Sequence, residues 1–377
     1  MVTERRLVGM DLTELRSRFS ERDWQQTEPD PEDPLRFAMV GLGWWTIEEM
    51  IPAVAAEPGI STTVLVSSTA EKAERVVDEH EHRLGDDATD ARGIDYDAFH
   101  DGAAAEHYDA VYVCTPNALH LPYVETAADL DKAILCEKPL EASTERAAAI
   151  VEATADVPIM TGYRMHTEPA IRVAKTLFED GLLGEPVAVQ GHMTQNVLDI
   201  AGPDSWRLDP DLAGPGASVT DVGIYPINTA RFVIDRDPVA AHASMTSEHP
   251  AFADVPDEAA SFLIEYEGGV TGAYTASQHA QLSGSFRIVG TEGEVRLEPA
   301  FFNDERSELH LRTGGSTIFE TSVAFPSVDQ MEAEVAYFAD CLRDGRPFEP
   351  DAEHGLVDMQ AIEAVYEAAE RGERVEL

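Results

Sequence analysis

The chain has 377 residues, and its 71 Asp and Glu against 27 Lys and Arg give a formal net charge of −44. That balance leaves no basic patch to neutralise phosphates, which excludes nucleic acid and anionic membrane surfaces as partners. With 44% hydrophobic residues the chain has material for real cores, and its length predicts two domains.

The acids punctuate periodic apolar segments and are not gathered into a tail. Only four of the cations are lysines: Lys72, Lys132, Lys138 and Lys175. This composition predicts a halophile surface, self-repelling in dilute buffer and screened at ~1 M salt, where the Debye length is roughly 3 Å. Cys114, Cys136 and Cys341 lie in apolar contexts without metal spacing, as core thiols in a reducing cytoplasm do. Arg5-Arg6 resembles a twin-arginine export signal, but Asp11 and Glu14 interrupt the apolar region that export needs. No run is long enough to span a membrane, so a cytoplasmic protein is expected.

In chain order, residues 1–34 form an arm: one short helix, DLTELRSRF, capped by Asp11, then the linker TEPDPEDP. From Leu35 strands alternate with helices: LRFAMV, TTVLV, DAVYVCTP, AILCEK and VPIM are five strands, with TIEEMIPAVAAE and AEKAERVVDEHEH among the helices. This pattern predicts a parallel sheet with crossovers over 35–161. Over 162–377 a helix near 168–180 precedes strands that alternate apolar and polar residues, with Gly-Gly and Glu-Gly turns, and helix returns from about Asp329. An α+β domain with a large, mostly antiparallel sheet covered on one face is expected there.

GLGWWT (Gly41–Thr46) lies between the first strand and first helix, where a dinucleotide fingerprint belongs. Gly41 and Gly43 permit a tight turn and close approach of a pyrophosphate to a helix N-terminus. Thr46 replaces the third glycine, and the bland alternative is a plain strand–helix turn. After the second strand the chain reads VLVSSTAEKAER, without the acid that an NAD ribose requires. Ser67, Ser68, Lys72 and Arg75 offer hydroxyls and charge to a 2′-phosphate, which favours NADP. Alternatively Lys72 and Arg75 only pair with acids on their own helix.

CTPNALH (Cys114–His120) closes the third predicted strand at the carboxyl edge of the sheet, where ligands bind in open α/β folds. His120 there is either a site residue or a helix-start histidine. Lys138 ends the next strand and, so rare in this chain, is expected to serve chemistry. Its ammonium would stabilise an alkoxide before hydride loss. Asp221 and Tyr225 in GPGASVTDVGIYPIN share a face if that segment is helical. In isolation they are a helix with one aromatic and one acid.

Together GLGWWT, VYVCTPNALH, LCEKPL, TGYRMHTEP, SWRLDPDLAGPGASVTDVGIYPIN and the late GTEGEV turn resemble the glucose-fructose oxidoreductase/inositol dehydrogenase/rhizopine-catabolism (Gfo/Idh/MocA) family. The likeness runs from about residue 35 to the C-terminus. The serine after the second strand, Trp206-Arg207 and Asn228 are most similar to the branch holding glucose-fructose oxidoreductase. The resemblance implies a Rossmann NADP-binding domain and an open-faced sheet domain through which subunits associate. It implies catalysis by Lys138, Tyr225 and Asp221. It implies cofactor contacts from Gly41, Leu42, Gly43, Trp44, Trp45, Ser67, Ser68, Lys72, Thr115, Pro116, Asn117, His120, Glu137, Arg164, Trp206 and Arg207, and no metal. Asn228 stands where many relatives carry histidine, which leaves Tyr225 as the acid/base, with Asp221 or His166 next. The implied activity is NADP-dependent oxidation of an aldose, D-xylose first, at the anomeric carbon. The alternatives are another sugar, sugar phosphate or polyol ring carbon, or a non-catalytic NADP sensor.

Overall fold

The computed structural model describes residues 12–84, 91–303, 306–314 and 318–377. Asp11, expected to cap the first helix, and the Arg5-Arg6 pair lie outside them. The chain folds into two compact units that interleave along the sequence. One comprises residues 25–164 and 331–356, the other 12–24, 165–330 and 357–377.

The first unit is built on a six-stranded sheet: β1 (Leu35–Val40), β2 (Ile60–Ser67), β3 (Arg92–Asp95), β4 (Ala110–Val113), β5 (Ala133–Glu137) and β6 (Ile159–Gly162). Its order is β3-β2-β1-β4-β5-β6 and every pairing is parallel. The order reverses between β1 and β4, which places a ligand crevice at their carboxyl ends. The strands are short apolar runs buried on both faces, as helices on both sides of a parallel sheet require. β3 was not predicted. Ile94 is its one large apolar residue, and Gly93 is needed because a Cβ there would lie 2.3 Å from the Glu74 backbone nitrogen.

Residues 331–356 belong to this unit although they follow the second sheet in sequence. Phe338 packs on Phe37 with ring centroids 5.5 Å apart. The Thr161 N–H donates to the Pro350 carbonyl at 2.7 Å. The backbone N–H groups of Gln26 and Thr27 and the Thr27 hydroxyl donate to the buried Asp340 carboxylate.

The second unit holds a nine-stranded sheet: β7 (Pro186–Asn196), β8 (Pro238–Thr246), β9 (Ala259–Tyr266), β10 (Thr271–Ser277), β11 (His279–Gly290), β12 (Gly293–Leu297), β13 (Glu308–Thr313), β14 (Phe319–Ala324) and β15 (Val375–Glu376). The order is β14-β13-β12-β11-β7-β10-β9-β8-β15, and only β7–β10 is parallel. Period-two burial gives the sheet one packed face. Phe262, Ile264 and Tyr266 of β9 are buried, whereas Ser261 and Leu263 are exposed. The helix Ile224–Ile234 lies on the packed face so closely that a Cβ at Gly191 of β7 would come 2.7 Å from Pro226.

The proline-acid stretch 27–34 has no buried residue, as expected of a linker, whereas the helix before it joins a core. Leu15 and Phe19, four apart on the helix Leu12–Ser20, are buried with Trp24, and this helix packs on Pro169–Glu179. Two further helices depart from the expected pattern by opening with π turns, Thr46–Met50 and Val219–Gly223. Each is followed by a proline, Pro52 and Pro226, whose missing N–H removes the bond that would have tightened the turn to an α-helix.

Candidate active site

In the first unit the fingerprint turn closes as the glycines predict. Gly41 has φ +95°, and a Cβ on it would lie 2.2 Å from the Cys114 carbonyl oxygen. Gly43 has no neighbouring atom within 4 Å of where its Cβ would be, leaving open space before the helix. The Thr46 hydroxyl, buried, donates to the Gly41 carbonyl at 2.6 Å. The residue in place of the third glycine therefore ties the turn instead of loosening it. Leu42 is buried, so only its backbone faces the open space, while Trp44 is 65% exposed and stands 6.2 Å from the Trp45 ring.

The end of β2 presents Ser67, buried, and Ser68, exposed. Thr69 accepts the Lys72 backbone N–H at 3.1 Å and caps the helix Ala70–Glu79. Neither Lys72 nor Arg75 forms an ion pair with another described residue, so helix pairing does not account for them. The Ser67 and Thr115 hydroxyl oxygens are buried without a hydrogen-bond partner among the described residues. Orphaned buried hydroxyls are costly. Together with the Gly41–Gly43 cradle they fit a dinucleotide, whose oxygen-rich groups would offer such partners.

His120 opens the helix His120–Asp129. It is fully buried, with Nε2 3.0 Å from the Thr115 carbonyl and Nδ1 3.1 Å from the Leu140 carbonyl. The ring thus stands between a carbonyl of the loop after β4 and one of the loop after β5, and its N–H donates to one or the other according to the tautomer. A second tie, which sequence reasoning missed, runs through the buried Glu141. Its carboxylate accepts Arg146 Nε at 2.8 Å, and Arg146 also donates to the Ala118 carbonyl at 2.9 Å. The two ties hold Thr115, Pro116 and Asn117 in register with the residues after β5.

Lys138 follows β5 directly and is partly buried, and its peptide bond to Pro139 is cis. Glu137 is held from both sides: Tyr112 Oη donates at 2.7 Å, and the Lys138 backbone N–H at 3.2 Å. Near it lies Glu334, on the helix Gln330–Asp344. Burial, then the Glu137 charge, push the Glu334 carboxyl well above the usual carboxylate range, and Arg164 opposes the rise. Arg164 is thereby placed beside this acid pair, and Glu334 could be linked to it only by the fold.

In the second unit Asp221 gathers donors on one carboxylate oxygen: Gln278 Nε2 at 2.5 Å, Arg207 Nε at 3.1 Å and Gln195 Nε2 at 3.4 Å. Arg207 is the counter-ion of Asp221 through its Nε, and its guanidinium carbon stands 4.7 Å from the Trp206 ring centre. Tyr225 is half-buried, 6.2 Å from the Phe301 ring. Asp221 and Tyr225 lie across the junction of the π turn and the helix Ile224–Ile234, not on one α-helical ladder.

Asn228 and His166 are core residues. His166 Nε2 lies 3.0 Å from Asn228 Oδ1, Asn228 Nδ2 donates to Asp358 at 2.8 Å, and Asp358 pairs with Arg231 at 2.7 Å. His166 also stacks on Phe232 at 3.9 Å between centroids. Asn228 lies inside a buried polar chain that fixes the helix Ile224–Ile234. No group of three or more metal-ligating side chains is present among the described residues.

A doubly wound sheet with a glycine turn at its switch point, in a chain that also carries a separate sheet domain bearing an acid and a phenol, defines a two-domain dinucleotide-dependent oxidoreductase. Residues 35–163 match the oxidoreductase family profile with an NAD-binding Rossmann fold, and residues 171–296 match the GFO/IDH/MocA C-terminal domain. The chain belongs to the Gfo/Idh/MocA family. It is 50% identical over 98% of its length to the whole of the D-xylose 1-dehydrogenase [NADP(+)] of Haloarcula marismortui. It is 31% identical over 91% of its length to the whole of the D-xylose 1-dehydrogenase (NADP(+)) 2 of Haloferax volcanii. Among solved structures, aldose-aldose oxidoreductase from Caulobacter crescentus, complexed with glycerol, superposes with a TM-score of 0.80 at 29% identity, covering 91% of this chain and 100% of that one.

Proposed function

We propose that this oxidoreductase oxidises an aldose, D-xylose foremost, at the anomeric carbon to the lactone, with NADP as acceptor. What carries the reading is the 50% identity, without truncation of either chain beyond a few residues, to an NADP-dependent D-xylose 1-dehydrogenase. NADP, when bound, supplies the hydride acceptor. Gly41 and Gly43 receive its pyrophosphate at the start of the helix, and Ser67, Ser68 and Lys72 its 2′-phosphate. Tyr225 receives the proton of the anomeric hydroxyl at its phenol oxygen. The Lys138 ammonium would donate to the anomeric oxygen of the sugar, where negative charge grows as that proton leaves. Asp221, held by Arg207 and the two glutamines, accepts from a second hydroxyl and orients the ring. Initial rates with pentoses, hexoses and their phosphates, each with NADP and NAD in high salt, test the reading. D-xylose with NADP should give the highest kcat/KM, and a sugar phosphate in that place would overturn it.

NADP should be preferred over NAD because no carboxylate follows β2 and Lys72 is unpaired among the described residues. Equal or higher kcat/KM with NAD would remove Ser67, Ser68 and Lys72 from phosphate binding. A Lys72→Glu variant should reverse the preference, since a carboxylate repels the 2′-phosphate and accepts from a 2′-hydroxyl.

The acidic composition supports a halophile's protein, working in the cytoplasm as an oligomer associated through the open face of the nine-stranded sheet. Near-UV circular dichroism and activity should both decline as salt falls from ~1 M to ~50 mM, because the surface carboxylates lose their screening. Unchanged values at the lower salt would refute the halophile reading, and a sedimentation run showing only monomer would refute the association.

A further inference from the structure

The acceptor and donor logic around Asp221 extends two residues further than the family motif. Gln278 is fully buried between β10 and β11, and its backbone is pinned at both ends. Its N–H donates to Ser218 Oγ at 2.9 Å, and its carbonyl accepts the Val197 N–H at 2.8 Å. An ionised carboxylate only accepts, so the side-chain nitrogen of Gln278 must face Asp221, at 2.5 Å. That choice turns the Gln278 oxygen toward Gln195, whose nitrogen donates to it at 3.0 Å. Gln195 Nε2 is also 3.4 Å from Asp221. The orientation of both amides thus follows from one charge. Gln195, on β7, is only partly buried, and its nitrogen is committed inward. What it presents beside Asp221 is therefore its carbonyl oxygen.

We propose that Gln195 is a specificity residue whose amide oxygen accepts a hydrogen bond from a ring hydroxyl of the sugar next to the one at Asp221. Gln278 is the positioning residue that sets this orientation. The inference rests on the proposed oxidation of an aldose. An acceptor whose donors are all turned inward selects a neutral O–H group. A cation is not called for, since Arg207 already balances Asp221. A site built to receive a hydroxyl discriminates against an analogue that lacks it, because the acceptor is left unpaired.

The test crosses enzyme variants with substrate variants: wild type, Gln195→Met and Gln278→Met, each with D-xylose and its 2-, 3- and 4-deoxy analogues. In wild type one deoxy sugar should lose kcat/KM by about 5- to 10-fold for the one hydrogen bond missing at Gln195. In Gln195→Met, D-xylose should fall by a similar factor while that same deoxy sugar changes by less than about 2-fold. Gln278→Met should erase the same discrimination with Gln195 intact. Loss by an equal factor on every sugar, or discrimination unchanged in Gln195→Met, overturns the proposal. If Gln195→Met does not fold, Gln195→Asn, which withdraws the amide oxygen, supplies the same comparison. Wild type that oxidises D-xylose without this coupling sinks the role of Gln195 alone. Wild type that oxidises no aldose sinks the functional reading with it.

Discussion

Tyr225→Phe should lower kcat by about 10²- to 10⁴-fold, the range that positioned acid/base catalysis contributes. The substitution removes the phenol oxygen and keeps the ring, so the contact with Phe301 at 6.2 Å remains. The helix beneath it is fixed by Asn228, Asp358 and Arg231. KM for the sugar should change far less than kcat, since one hydrogen bond among several to the ring is lost. A variant retaining near-wild-type kcat would send the proton elsewhere. Asp221 is a poor second candidate, because three donors already converge on one of its oxygens. His166 is 1% exposed and bonded to Asn228. An active Tyr225→Phe enzyme would therefore call for a different proton route, not a substitute within this group.

Lys138→Ala should reduce kcat by about 10²- to 10³-fold, the scale on which a donor aimed at developing negative charge contributes. NADP affinity, read by quenching of the protein's tryptophan fluorescence, should shift much less, because the charge acts where the transition state differs from the ground state. The fold should survive. The backbone at 138 is held by its N–H to Glu137, and the ammonium is not required for that bond. Lys138→Arg should not restore the rate, since a planar guanidinium cannot take the place of a compact ammonium. A Lys138→Ala enzyme that binds NADP normally and keeps more than about a tenth of kcat would return Lys138 to a structural role.

Much of this was legible in the sequence for local reasons. Strand–helix alternation, glycines at 41 and 43, and a lysine kept in a chain of four lysines are signals carried by neighbours in sequence, and they lead to the crevice at β1 and β4. The alternation of β9 and β10 likewise announced a sheet with one open face, because side chains on a strand point alternately up and down. The missing acid after β2 pointed to the cofactor's extra phosphate for the same kind of reason: a single position at a known place in a known motif.

What only the tertiary structure decided concerns partners far apart in sequence. Arg207 and Asp221 meet across 14 residues, Gln278 and Asp221 across 57, and Asn228 and Asp358 across 130. No local pattern encodes such pairings, because a side chain's hydrogen-bonding capacity is visible in its identity but its partner is set by where the sheet carries it. The same limit applied to His120, whose ring stands between two backbone carbonyls, and to Leu15, Phe19 and Trp24, buried although they precede the first predicted strand. It applied again to the tail helix Gln330–Asp344, most of which joins the first unit although the second sheet precedes it. Burial is a property of the folded whole, and a short apolar stripe does not say which core will take it.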